Sequence, residues 1–101
     1  MNNLQSKVSQ FNQERNLNIA YTLRILDLSS EIGEICKLGF STGIGKKIEH
    51  ETWQEELGDA LYSLLSLMNS LNIDADKSLD VVLRKYNSRM DLRNSMDSGS
   101  S

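Results

Sequence analysis

The sequence predicts an all-α fold, an antiparallel bundle of about four helices per chain that is completed by oligomerisation. Proline is absent from the 101 residues, and apolar residues recur at steps of three and four, which is the helical period. A chain this short buries only a modest share of its surface. The lone Cys36 allows neither an internal disulfide nor a cysteine metal cluster. We therefore expect self-association to supply the missing burial.

The first two helices are predicted from apolar spacing. Residues 1 to about 15 place Leu4, Val8 and Phe11 on one face, and asparagines at 16 and 18 end this helix. A second helix is predicted from about Ile19 to Leu38. Its expected core stripe consists of Tyr21, Ile25, Leu28, Ile32 and Ile35.

The second half of the chain predicts two more helices. The glycine-rich stretch from Gly39 to about His50 predicts a loop. A broad apolar face predicts a third helix from Glu51 or Thr52 to Leu71. After a turn at 72–74, a fourth helix is predicted from Ala75 to about Asp91. The expected buried positions of this helix are Leu79, Val82, Leu83 and Tyr86.

Two acidic pairs stand beside these apolar stripes. Glu31 and Glu34 are three residues apart, as are Glu56 and Asp59, so each pair lies on one helix face, one turn apart. If the second and third helices pack antiparallel, the two pairs can converge. Such a cluster resists dehydration unless a cation joins it, and Mg²⁺ prefers oxygen ligands. The alternative is that the acids pair with Lys or Arg across the bundle.

The same residues carry a resemblance to a known family. Glu31-Ile-Gly-Glu34, followed after 21 residues by Glu56-Leu-Gly-Asp59, resembles the motif of the MazG-like, all-α nucleoside triphosphate pyrophosphohydrolases. The similarity covers about Phe11 to Arg89. One departure is Ser30, which stands where the family usually has the first Glu of its E-E-x-x-E motif.

The resemblance implies a reaction, a cofactor and an assembly. The reaction would be hydrolysis of a nucleoside triphosphate between the α and β phosphates, giving a monophosphate and pyrophosphate, for nucleotide-pool cleansing. Mg²⁺, or Mn²⁺, would be held by the two acidic pairs and would polarise the attacking water. Glu31 is the favoured acceptor of the water's proton. The family also implies a homodimer or a dimer of dimers.

Further site residues are expected outside the acidic pairs. Lys85 and Arg89 lie one turn apart on the fourth helix and would grip the substrate phosphates. Their alternative is an exposed basic helix end, which the helix dipole favours. Phe11 and Asn12 are candidates for the base pocket.

Charge and composition narrow the function classes. A net charge of −3 argues against a nucleic acid polymer as partner. No apolar run reaches the length of a membrane span, and the polar N-terminus predicts no signal peptide, so we expect a cytoplasmic protein. The expected domain covers residues 1–94, with a disordered tail over 95–101.

Two alternative functions remain at this point. One is a non-catalytic helical module that binds nucleotide or metal, and Ser30 is the feature that favours it. The other is a related enzyme that uses the same motif on dUTP or on phosphoribosyl-ATP.

Overall fold

The computed structural model describes residues 3–99, and the side chains of residues 3–94. Within this range the chain forms four helices and no strand, which confirms the predicted all-α class. The helices are Asn3–Glu14 (α1), Tyr21–Gly43 (α2), His50–Ser70 (α3) and Ala75–Gly99 (α4).

Three helices end in the same way. Asn16, Gly45 and Asn72 have positive φ angles of 55°, 91° and 56°, the left-handed conformation that Gly and Asn adopt most easily. In each case two N–H groups after the helix donate to carbonyls of its last turn, which is the Schellman motif. Asn16 and Asn72 were predicted at a helix end and in a turn, and they end α1 and α3 through their left-handed backbone conformation.

The second helix is longer than its sequence predicted. Its expected end at Leu38 was wrong, because Gly39 and Gly43 both lie inside α2. The stop is Gly45, whose N–H donates to the Thr42 carbonyl at 3.0 Å. Glycine weakens a helix interior by about 1 kcal/mol but does not by itself end a helix. Likewise, α4 continues past the predicted end at Asp91. Residues 100 and 101, the last of the predicted tail, lie outside the described residues.

α3 is the central helix, because both α1 and α2 pack against it, whereas α4 makes few contacts with the other three. Among the side chains of residues 3–94, the buried apolar one is Leu65, which is 5% exposed. The other buried side chains are polar or charged: Gln5, Asn12, Arg24, Ser63 and Ser66.

Side-chain amides attach α1 to α3. The Gln5 amide donates to Asn69 Oδ1 at 3.1 Å and to the Ile73 carbonyl at 2.7 Å. Its oxygen accepts the Ala75 N–H at 2.7 Å, and Asn69 donates back to the Gln5 carbonyl at 3.1 Å. These bonds satisfy the buried amide and tie α1 to the start of α4.

Large apolar faces remain exposed on the single chain. Tyr21, Ile25 and Ile32, which were expected in the core, are exposed, and so is Leu79 on α4. The radius of gyration is 18.1 Å, against about 13 Å for a compact chain of 100 residues. The predicted apolar stripes are thus real surfaces that the single chain does not cover. None of the described helices is both long and apolar enough to cross a membrane.

Candidate metal site

Three carboxylates from two helices converge at one point. Glu31 comes from α2, and Glu56 and Asp59 come from α3. One oxygen atom of each lies within 4.8 Å of the others. The spacing of three residues on α3 places Glu56 and Asp59 on one face, and Glu31 meets that face across the helix pair.

The contacts between α2 and α3 explain this convergence. Arg24, near the start of α2, donates to the Tyr62 hydroxyl on α3 at 3.4 Å. Glu31 lies two turns further along α2, and it meets α3 about one turn before Tyr62, at Asp59. The acids therefore occupy the same helix–helix seam as the Arg24 contact.

The electrostatics of the cluster are unfavourable to a fully charged state. Burial raises the pKa of Glu31 above its ordinary value, and the charges of Asp59 and Glu56 raise it further. Glu34 and Asp27 act in the same direction. Within residues 3–94, no Lys, Arg or His forms an ion pair with the three clustered acids. The alternative of an ion pair across the bundle is thus not found there.

Glu34, the fourth predicted ligand, is engaged differently. Its side chain is 46% exposed, and its Oε1 accepts a hydrogen bond from Lys37 Nζ at 3.2 Å. Glu34 is not among the three residues whose oxygens converge. Its charge still contributes to the raised pKa of Glu31. Glu34 thus stands beside the cluster, and its role as a ligand stays a prediction.

The donor set fits a hard divalent cation. All three side chains offer carboxylate oxygens, which Mg²⁺ and Mn²⁺ prefer. Two oxygens that share one Mg²⁺ at about 2.1 Å can be at most about 4.2 Å apart. The three oxygens lie within 4.8 Å of one another, which is close to this maximum. Small side-chain rotations would therefore bring them to the distance that a shared Mg²⁺ requires.

The predicted phosphate-binding residues lie on α4. Lys85 Nζ stands 5.4 Å from the centre of the Tyr86 ring, a cation–π contact. Arg89 lines a surface depression with Tyr86, Met90 and Arg93. No ion pair within residues 3–94 joins Lys85 or Arg89 to an acid of the cluster. Within one chain the structure does not join these residues to the carboxylates, and their phosphate role stays a prediction.

The two base-pocket candidates have different environments. Phe11 is exposed and meets the Tyr62 ring edge to face, with centroids 6.0 Å apart. Asn12 is buried, donates to Ser66 Oγ at 3.1 Å and accepts the Tyr62 hydroxyl. Asn12 therefore has a structural role between α1 and α3, and its contact with a base stays a prediction.

Sequence reasoning missed Arg24. This residue is 4% exposed, although arginine is rarely buried without a partner. A signal was present, since Arg24 interrupts the apolar run Leu23–Leu26 and stands seven residues before Glu31, on the same helix face. A charge at a core position indicates a specific internal contact.

Comparisons with known proteins give one distant relative. No family model matches the chain, and no solved structure matches it. A protein of Bacillus subtilis (strain 168), YpjD, is 34% identical over 67 residues, which is 61% of this chain and 60% of the relative. The chain thus spans about 60% of the length of that relative. YpjD is described as uncharacterized, so this likeness carries no activity over to the chain.

Proposed function

We propose that this protein is a Mg²⁺-dependent nucleoside triphosphate pyrophosphohydrolase, which converts a (d)NTP to a (d)NMP and pyrophosphate. The observation that supports it most directly is the convergence of Glu31, Glu56 and Asp59 without a basic partner among residues 3–94. These are three of the four acids of the MazG-like motif that this chain carries. Unpaired carboxylates held together are costly, and a divalent cation offsets that cost.

The three carboxylates would have two different roles, metal binding and proton acceptance. Bound Mg²⁺ would neutralise the phosphates and lower the pKa of a water molecule. Glu56 and Asp59, fixed one turn apart on α3, would hold the ion. Glu31, whose pKa is raised by burial and by its acidic neighbours, is suited to accept the proton of the attacking water.

We infer that the chains assemble as a homodimer or a dimer of dimers. The accessible surface is 7921 Å², which exceeds by about 2,100 Å² the roughly 5,800 Å² typical of a folded chain of this mass. Obligate homodimers bury about 1,000 to 2,500 Å² per chain. The order of contacts between α2 and α3 further supports the antiparallel packing of this pair.

The assembly bears on the substrate. α4 carries Lys85 and Arg89, yet it makes few contacts within the chain. A second copy packed on α4 would fix this helix in place. Lys85 and Arg89 could then reach the phosphates of a nucleotide bound at the cluster of either chain. Phe11 and Asn12 are the proposed base contacts.

A second candidate is a non-catalytic module that binds metal or nucleotide. It is favoured by the Glu34–Lys37 pair at 3.2 Å, which engages one predicted ligand, and by Ser30 in place of the first Glu of the motif. A related enzyme acting on dUTP or phosphoribosyl-ATP would use the same carboxylates.

A panel of nucleotides with pyrophosphate detection, with and without Mg²⁺, tests the proposal. At least one nucleotide should release pyrophosphate and not orthophosphate, and Glu56→Gln or Asp59→Asn should abolish the release. Glu55→Gln is the matched control, because Glu55 is exposed beside Glu56 and lies outside the cluster. Metal binding without turnover of any nucleotide would favour the non-catalytic module. Turnover that survives both cluster variants would refute the site.

A further inference from the structure

A small polar cavity lies beside α1, the α1–α2 connection and α3. Its volume is about 140 Å³, and a water molecule takes about 30 Å³, so it can hold a few waters or one small solute. No carboxylate belongs to the described lining. The polar side chains of its wall include Ser9, Asn12, Asn18, Arg24, Ser66 and Asn69.

Arg24 is the charged group of this cavity. It is 4% exposed, donates from Nη1 to the Tyr62 hydroxyl at 3.4 Å, and donates from Nη2 to the Leu17 carbonyl. A guanidinium has five N–H donors, so further donors remain for a ligand. Buried charges are normally paired, but here the guanidinium contacts neutral groups, including the Tyr62 ring 5.7 Å from Cζ, and no acid of residues 3–94 pairs with it.

The start of α2 adds positive potential at the same place. Ile19 lines the cavity, and the helix begins directly after it with Ala20 as N-cap and no side-chain cap. The first N–H groups of a helix carry partial positive charge and bind anions. Tyr21 and Thr22 do not belong to the cavity lining, so the guanidinium is its main group for an anion, and the nearby helix start adds only its partial positive charge.

We propose that this cavity binds a small oxyanion, a phosphate or a carboxylate group, through the Arg24 guanidinium. The planar fork of arginine matches two oxygens of either group. The site is distinct from the metal cluster, because Arg24 precedes Glu31 by seven residues, or about 10 Å along α2. The proposal goes beyond the pyrophosphohydrolase function and does not depend on it.

Anion titration of the metal-free full chain tests the site. Inorganic phosphate, and separately acetate, is added to ¹⁵N-labelled protein in EDTA at constant ionic strength, while NMR follows Arg24 Nε–H and the Asn12 and Asn69 amides. We expect saturable shifts of these signals with at least one anion. Phosphate alone would indicate a tetrahedral ligand, and both anions would indicate the general oxyanion class.

Variants that supply the missing charge make the test specific. Asn18→Asp places a carboxylate in the cavity wall, where it can pair with Arg24. It should weaken anion binding at least about tenfold, while the melting temperature stays the same or rises. Ser9→Asp repeats the substitution from α1, in case Asn18→Asp disturbs the fold. Lys7→Gln removes an exposed positive charge of α1 and should leave the affinity within about twofold.

Two results would overturn the proposal. One is the absence of saturable shifts at Arg24 with both anions. The other is unchanged affinity in both Asn18→Asp and Ser9→Asp, because the anion would then bind elsewhere. The titration is repeated in Glu56→Gln, which should bind the anion as the unsubstituted protein does. If the unsubstituted protein binds the anion but releases pyrophosphate from no nucleotide, that result counts against the proposed function alone.

Discussion

Replacing Asp59 with asparagine should change stability in opposite directions with and without magnesium. The carboxylate oxygens of Glu56 and Asp59 lie within 4.8 Å of each other, and two unit charges at that distance repel by about 0.9 kcal/mol in water. Physiological salt screens roughly half of this repulsion. Relief of the Glu56 repulsion alone should raise the melting temperature in EDTA by about 2 to 4 °C, and Glu31 adds repulsion of the same sign.

Saturating Mg²⁺ should reverse the order of the melting temperatures of Asp59→Asn and the unsubstituted protein. A ligand at 100 times its dissociation constant stabilises the folded state by about 2.7 kcal/mol. Asp59→Asn removes one of the two carboxylates proposed to hold the ion, so Mg²⁺ should stabilise this variant much less. The unsubstituted protein should therefore melt above the variant in saturating Mg²⁺ and below it in EDTA.

The pH dependence provides an independent measurement of the same repulsion. Because the pKa of Glu31 is raised in the folded chain, the folded state holds this proton more firmly than the unfolded state does. The free energy of unfolding in EDTA should thus fall as pH rises through that raised pKa. Asp59→Asn removes one cause of the shift and should flatten this decline.

Thermal melts followed by circular dichroism, in EDTA and in Mg²⁺, measure all three effects. Glu55→Gln is the control, since it removes a charge from the same helix but outside the cluster. A loss of about 3 kcal/mol or more in EDTA would refute the reasoning, because it would indicate a broken structural ion pair. An equal response of variant and unsubstituted protein to Mg²⁺ would also refute it.

Three further predictions concern a helix start, two glycines and the assembly. The Asp74 carboxylate accepts the Lys77 N–H at 3.1 Å, which lowers the pKa of Asp74; its stabilisation should be lost as pH falls from the ordinary pKa through the lowered one. Asp74→Ala should therefore lower the melting temperature most at pH 7 and progressively less in acid, and Asp74→Asn, which still caps the helix, should melt normally at pH 7. Gly45→Ala should destabilise by about 1 to 2 kcal/mol in urea, because φ is 91°, whereas Gly39→Ala, inside α2 with open space around it, should stabilise by about 1 kcal/mol. In size-exclusion chromatography with light scattering, the measured mass should be a multiple of the 11.4 kDa chain mass. Leu61→Glu, on an exposed apolar face, should shift the measured mass toward that of one chain.

The helical period predicted the four helices well, but glycine was misread as a helix stop. Gly39 and Gly43 lie within α2, and Gly45 ends it because only this glycine has a left-handed φ. A left-handed residue at a helix end is set by the hydrogen bonds that follow it, and composition alone does not identify which glycine makes them.

The acidic cluster was predictable because two pairs spaced by three residues must each lie on one face. The position of Glu34 was also accessible from the sequence, since Lys37 follows it at i+3. The apolar residues around Arg24 do indicate a charge at a core position, but its partners, the Leu17 carbonyl and the Tyr62 hydroxyl, could not be predicted. These partners come from a connection and another helix, and helical spacing carries no information on such contacts.

The amide bonds that hold α1 have a consequence for the order in which the chain comes apart. Gln5 and Asn69 bond each other in both directions, and such bonds have one geometry, so sliding α1 by one turn, about 5.4 Å, would break them all. Water replaces a hydrogen bond more readily than it solvates an apolar face. α1 should therefore dock in a single alignment yet detach before α2 and α3 separate, and its amides should exchange with solvent earlier than those of α3.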